Sequence, residues 1–307
     1  MSRVVRITAL AVIVVLVVIA AATTDRFLTW ENVRAILSAS TGIGIVAIGA
    51  GYITIVGSIG SLATSQSVSL LAMVFVASQL WGLPAAVLVA VLAGAALGAV
   101  QGYAVGAWSA NPIVLTVAVS FALVGLSTWL TGGRIVAPSG TGFDALNATP
   151  LGIPVAVYVL VALGILNELV MRFTTIGRQV PLVGENPRAA RVAGLPVTAV
   201  TVFAWTMFGV MSGIGAAFLG AFNRQANISL AGNLTFDVIA AVLVGGIAIA
   251  GGRGSAIGAM LGAVAISAIT NLLLLRGFDT GAQLLVKGLL VVLIVVVLQL
   301  RNRERTR

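Results

Sequence analysis

The stretch GENPRAARVAGLPV, residues 184–197, is a polar island with two arginines between long apolar runs. It carries its own helix start and stop. Asn186 suits the capping position and Pro187 the first helical residue. Gly194 suits the residue just past the end, and Pro196 blocks continuation. The spacing predicts a helix of roughly two turns, and helices shorter than about 12 residues are marginal alone in water. It therefore needs a surface. Ala189, Ala190, Val192 and Ala193 offer small apolar contacts, and Arg188 and Arg191, three apart, share a side. Two readings fit this spacing equally: a plug for a groove on a cytoplasmic partner, or a helix held on lipid headgroups by arginine–phosphate attraction.

The surroundings decide the fold class. The 307 residues are 60% hydrophobic and 8% charged, with mean hydropathy +1.15. Soluble domains carry roughly 25% charged residues. Lipid must solvate most of this chain, so it reads as an all-α polytopic membrane protein, one transmembrane domain over 1–307. A net charge of +9 invites nucleic acid. The arginines instead sit between apolar runs with no interleaved aromatics, so no nucleic-acid partner is expected. With no Cys and no His, disulfides, thiol chemistry and histidine-based metal or acid–base sites are excluded.

Runs of about 20 apolar residues place spans near 7–23, 41–57, 67–81, 84–105, 112–132, 154–171, 198–222, 236–250, 256–275 and 282–300, about ten transmembrane helices. The third and eighth are short and read as tilted, broken or partly re-entrant. The first also resembles a signal peptide, with Arg3 and Arg6 before an apolar run and small residues after it. An uncleaved span is favoured, because further spans follow. A cytoplasmic N-terminus puts both termini inside. It also puts Arg3, Arg6, Arg172, Arg178, Arg188, Arg191, Arg253, Arg301, Arg303, Arg305 and Arg307 inside, against Arg26, Arg34, Arg134, Arg224 and Arg276 outside, the bias that cytoplasmic loops carry. Residues 172–197 become a cytoplasmic segment and 133–153, rich in Gly, Pro, Ser and Thr, an external loop. Lys287 falls within the last span, near its outer end, placed to snorkel.

Gly94, Gly98, Gly102 and Gly106 make a smooth stripe on one helix face, with shorter versions at Gly209–Gly213 and Gly254–Gly258–Gly262. Such stripes let helices approach closely, either in static packing or in sliding during a cycle.

The C-terminal half resembles the permease subunits of ribose-type ABC importers, a group that also takes in branched-chain amino acid permeases. The residues that carry the resemblance are GENPRAARVAGLPV and DVIAAVLVGGIAIAGGRGSAIGAMLGA, residues 237–263. The first fits G-x-N-x-x-A-A-x-x-x-G-(I/L)-x-V. In the second, Gly245, Gly246, Gly251, Gly252, Gly254, Gly258 and Gly262 fill the family's glycine positions and are expected to serve helix packing. The resemblance implies an ABC importer permease fold in a bacterial inner membrane. It implies three partners: an ABC ATPase subunit that uses ATP and Mg, an external solute-binding protein, and a second permease copy, identical or paralogous. It implies that Gly184, Asn186, Arg188, Ala189, Ala190, Arg191 and Gly194 couple to the ATPase. The first half departs from the pattern. Where such permeases carry T-G-G-I-D-L-S-V-G-S, this chain has VGSIGSLATSQ, with Gly60 in the acidic position and Leu62 in that of the serine.

No G-x-x-x-x-G-K-[ST] exists, so the chain is not itself a Walker-type ATPase, and no catalytic, metal or cofactor site is expected. Its eight acids lie mostly in loops or at span ends, Glu168 excepted, which argues against a proton-coupled carrier or a channel with charged rings. A membrane-embedded enzyme lacks the clustered groups it would need. Neutral hydrogen bonding suits a polyhydroxylated solute, most simply a monosaccharide, although a binding protein selecting branched-chain amino acids fits the same fold. Polar residues inside spans are either pathway groups or interhelical hydrogen bonds. Gln101 and Asn271 lead as pathway candidates, because an amide in lipid must face protein or water; Ser120 joins them.

Overall fold

A computed structural model describes residues 27–138 and 143–303, the side chains of 294, 295 and 297–303 apart. Its helices are α1 (Trp30–Ile55), α2 (Thr64–Ala77), a 3-10 turn (Ser78–Trp81), α3 (Leu83–Ala107), α4 (Pro112–Thr131), α5 (Asp144–Asn147), α6 (Val155–Phe173), α7 (Thr175–Glu185), α8 (Pro187–Val192), α9 (Val197–Asn223), α10 (Leu234–Val244), α11 (Ala256–Leu275) and α12 (Thr280–Arg303), with a second 3-10 turn at Pro150–Gly152. The expected span at 7–23 lies outside the described residues. Each of the other nine expected spans has its helix, and six are long and apolar enough to cross a bilayer: α1, α3, α4, α6, α9 and α11.

α1 begins eleven residues before the run that hydropathy marks. Thr29 caps it by accepting from the Asn32 amide at 3.4 Å, and Glu31 lies against the positive helix end. Polar residues in these first turns hid them from an apolar count.

α9 is the central pillar, packed against α1, α2 and α3. The glycine stripe of α3 finds its partner here. A Cβ at Gly94 would strike the Gly209 carbonyl, one at Gly98 the Trp205 carbonyl, and one at Gly102 would lie 2.7 Å from Trp205 Cβ. Gly209 and Gly213 return the contact against the backbone of Gly94 and Ala90. Two complementary stripes thus bring the backbones together. Beside them Trp205 and Phe208 are buried edge to face, ring centroids 6.3 Å apart.

The bundle has two ends. One, termed the coupling end after the role expected of the α7–α8 segment, gathers the C-terminus of α1, that segment, the start of α9 and the α10–α11 turn. Gly106 meets Thr198 there. The other, the loop end, gathers residues 136, 143–147 and 221–226. An antiparallel bridge joins Val136 to Ala226, Asn147 donates to the Ala221 carbonyl at 2.8 Å, and Arg224 pairs with Asp144 at 2.9 Å. Phe143, buried, packs against Phe75 of α2. The segment read as a surface loop is thus partly built into the fold.

Candidate functional site

The polar island folds as its signals indicate, with one addition. Asn186 Oδ1 accepts from the amides of Arg188 (3.1 Å) and Ala189 (3.0 Å), and Pro187 opens α8. At the far end Gly194, at φ +79°, donates to the Arg191 carbonyl while Leu195 donates to that of Ala190. These paired bonds through a left-handed glycine stop the helix. The addition is α7, eleven residues immediately before α8, capped by Thr174 Oγ1 accepting from Gly177 N at 3.0 Å. It keeps Pro181 inside the helix, which hid it in the sequence. Ala190 is buried in the bundle, whereas Arg188, Ala189 and Arg191 face outward and Val192 is 90% exposed. An apolar residue flanked by two arginines stands free at the coupling end.

This segment meets the spans backbone to backbone. Gly252 N donates to the Ile55 carbonyl at 2.8 Å. Gly184 lies across that bond: a Cβ there would run into Ile55 O and come within 2.8 Å of Gly252 N. A Cβ at Gly251 would lie 2.8 Å from Gly184 O and 2.9 Å from Gly57 Cα. The end of α1, the end of α7 and the α10–α11 turn are therefore one junction, which joins the chain's two motifs. Arg253 reaches Glu185 at 3.4 Å on the exposed rim. Glu168 braces the same end: Oε1 takes Arg172 Nε at 2.7 Å, and Oε2 accepts from Ala256 N at 3.0 Å, at the positive terminus of α11.

The seven glycines of the second motif divide. Gly245, Gly258 and Gly262 lie where α10 and α11 are in backbone contact, and Gly254 packs on Ile55 and Ile247. Gly246, Gly251 and Gly252 are turn residues at positive φ, the last two held in the junction rather than in a helix seam.

The two short spans are half-helices in that each starts partway through the bundle. At ~1.5 Å per residue α10 extends about 16 Å, roughly half of a hydrocarbon core of ~30 Å; α2 extends about 21 Å and is carried on by the 3-10 turn Ser78–Trp81 at ~2 Å per residue. Their N-termini meet. Ser65 N donates to Thr235 Oγ1 at 2.9 Å, Thr235 N donates to Ser65 Oγ at 2.9 Å, and the two hydroxyls lie 2.8 Å apart. Each helix caps the other. From this point α2 runs to the loop end and α10 to the coupling end. Irregular backbone inside a membrane is tolerated where protein buries it or water lines it. Here 56–63 and 227–233 are such stretches, with buried Ser58, Ser61, Thr64, Ser65, Ser67 and Ser69 around them. A cavity of about 80 Å³ lies beside the meeting point, bordered by Thr54, Gly60, Ser61, Thr64 and Ile239. Gly60 sits at φ +73°, a left-handed conformation that an L side chain adopts only with strain. That backbone suits the glycine standing in the family's acidic position. A larger cavity, about 860 Å³, lies at the loop end between α1, α6 and α9, with Glu31, Arg34, Ser38, Asn147 and Phe218 in its wall.

The three pathway candidates are not brought together. Among the described residues no hydrogen bond joins any two of them. Gln101, 2% exposed, lies in α3 on the glycine-stripe face and donates to the Leu97 carbonyl at 3.3 Å. Ser120 is half-buried on α4, and Asn271 lies on α11. The sequence reading also missed an ion pair. Lys287 does not snorkel. Its Nζ is 2.7 Å from Asp237 Oδ1, and the side chains are 12% and 16% exposed. Asp237, counted at a span end, sits in the first turn of a half-helix whose start lies within the bundle.

A family model described as "Branched-chain amino acid transport system / permease component" matches residues 32–298. The chain belongs to this permease family. The ribose import permease protein RbsC of Escherichia coli (strain K12) is 28% identical over 305 residues, 94% of this chain and 92% of that one. The L-arabinose ABC transporter permease protein AraH of Azospirillum brasilense is 26% identical over 285 residues, covering 92% and 84%. A probable ABC transporter permease protein of Escherichia coli (strain K12), YphD, is 35% identical over 184 residues; that match takes in 60% of this chain and 55% of the relative. No solved structure matches. This permease is thus a multi-pass membrane subunit of an ABC importer, and the transport role expected from its two motifs stands.

Proposed function

We propose that this permease moves a monosaccharide across a bacterial inner membrane, as one of two permease copies served by ABC ATPase subunits and an external solute-binding protein. In this reading the coupling end is cytoplasmic, with both termini on that side, and α7–α8 is the element that an ATPase grips. The observation that carries it is the glycine junction: a capped helix presents Arg188, Arg191 and Val192 outward, and its near end is fixed backbone to backbone to α1 and to the turn leading from α10. Motion imposed on α8 has a stiff route to the half-helices. ATP and Mg would bind the ATPase alone. The sugar assignment is supported by the ribose and arabinose relatives and by the buried hydroxyls of Ser58, Ser61, Thr64 and Ser65 around the half-helix meeting point. The family description favours branched-chain amino acids as a second cargo. Proteoliposomes holding the permease with its ATPase and binding protein separate the two. ATP-dependent uptake of labelled ribose or arabinose, undiminished by excess leucine, is expected. Uptake of leucine with none of either pentose would replace the sugar reading.

A further inference from the structure

The bundle's Lys287–Asp237 pair has no part in the coupling junction, yet it sits in a telling place. Lys287 is the only lysine in the chain. Asp237 precedes Gly245 by eight residues, so it lies about 12 Å along α10 from the α10–α11 contact at the coupling end, inside the bundle rather than at its rim. An ion pair at this depth is not needed for insertion, and apolar residues of similar shape hold helices together as well. Its best-attested use is to fix register. Once formed it resists separation, because either charge alone would face a low dielectric.

α12 needs such a fixture. It touches the described bundle chiefly through α10 and α11, and Leu285, Leu289, Val292 and Leu293 along it are exposed. α10, by contrast, is anchored at its far end: Gly245 lies against Gly258, and the following turn carries Gly252 into its bond with Ile55. We propose that the Asp237–Lys287 pair makes α10 and α12 one moving unit, so that displacement delivered at α7–α8 is carried to α12. This rests on the coupling reading above, and adds to it a positioning role for two residues outside the junction.

The test uses the full complex in proteoliposomes, measuring ATP hydrolysis and solute uptake together. The neutral pair Asp237→Asn with Lys287→Met should insert, co-purify with the ATPase and hydrolyse ATP normally, while uptake per ATP falls about tenfold, within the usual range of coupling between sites. Asp237→Glu with Lys287→Arg, which keeps the pair, should retain coupling. The chain has no cysteine, so Asp237→Cys with Lys287→Cys can be joined selectively by a short bis-methanethiosulfonate linker. Uptake should be low before linking and recover after it. A pair that must open in each cycle gives the reverse, with arrest on linking, and overturns the proposal. So does normal uptake per ATP in the neutral pair. That second result leaves the coupling reading standing if charge reversal on α8 still releases the ATPase.

Discussion

Gly184→Ala is the smallest change that enters the coupling junction. Its Cβ would come within 2.8 Å of Gly252 N and closer still to Ile55 O, where ordinary contact begins near 3.4 Å. The neighbours must yield by about 0.6 Å or more, and both are backbone, without a rotamer to turn. What yields is the 2.8 Å bond from Gly252 N to the Ile55 carbonyl. Leaving those groups unpaired costs roughly 1–3 kcal/mol, a factor of about 5 to 150 against the joined geometry. The assay is ATP hydrolysis beside solute uptake in proteoliposomes. Uptake per ATP should fall by about 5- to 150-fold while the ATPase stays bound, because α8 itself is untouched. Gly194→Ala is the control: φ is +79° but nothing lies within 4 Å of a Cβ, so only left-handed strain of about 1–2 kcal/mol is added. Uptake per ATP at the wild-type level in Gly184→Ala, or an equal loss in both variants, would refute the junction.

Gly98→Leu should break the α3–α9 seam, since even its Cβ strikes the Trp205 carbonyl. Loss of the monomodal peak in detergent gel filtration checks it, and a normal profile with normal uptake would contradict it. Ser65→Ala removes the acceptor of Thr235 N and the hydroxyl contact. A cost of about 1–3 kcal/mol should appear as a lowered midpoint of thermal unfolding in detergent, with an unchanged midpoint counting against the reciprocal cap. A reporter active only in the cytoplasm should be active when fused after residue 303 and silent when inserted in 133–153; the opposite pattern inverts the topology.

Much of this architecture was legible because membrane helices announce themselves by long apolar runs, and α8 by Asn186, Pro187 and Gly194 acting within their own turn. The shortness of α2 and α10 showed for the same local reason. The α3 stripe marked a close seam, but that its partner is Gly209–Gly213 depends on which helices neighbour each other. α7 was missed because Pro181 reads as a breaker, although a side chain at Thr174 and contacts from α9 and α6 hold the helix around it. Gly246, Gly251 and Gly252 looked like continuations of a packing stripe, since spacing does not distinguish a helix face from a turn. The pairing of Lys287 with Asp237 spans fifty positions and leaves no local signature. Glu168 stood out as an intramembrane acid, but its partners, the amides at the start of α11, belong to a distant segment. Gln101 stood out as an amide in lipid, and the fold buries it in a helix seam, apart from Ser120 and Asn271.

The central claim is that α8 docks an ATPase subunit, and replacing Arg188 and Arg191 together by Glu tests it most directly. The change moves local charge by four units at residues that face outward beside Val192. Like charges brought together at an interface cost several kcal/mol. Arg172 and Arg178 remain to keep the segment positive, so insertion should be preserved. The measurement is co-purification of the ATPase with the double variant in detergent, where no bilayer surface can hold α8. The account predicts that the ATPase is lost and ATP-driven uptake disappears, with the permease itself recovered in normal amount. Full co-purification with unchanged uptake would contradict it and assign α8 to the lipid headgroups.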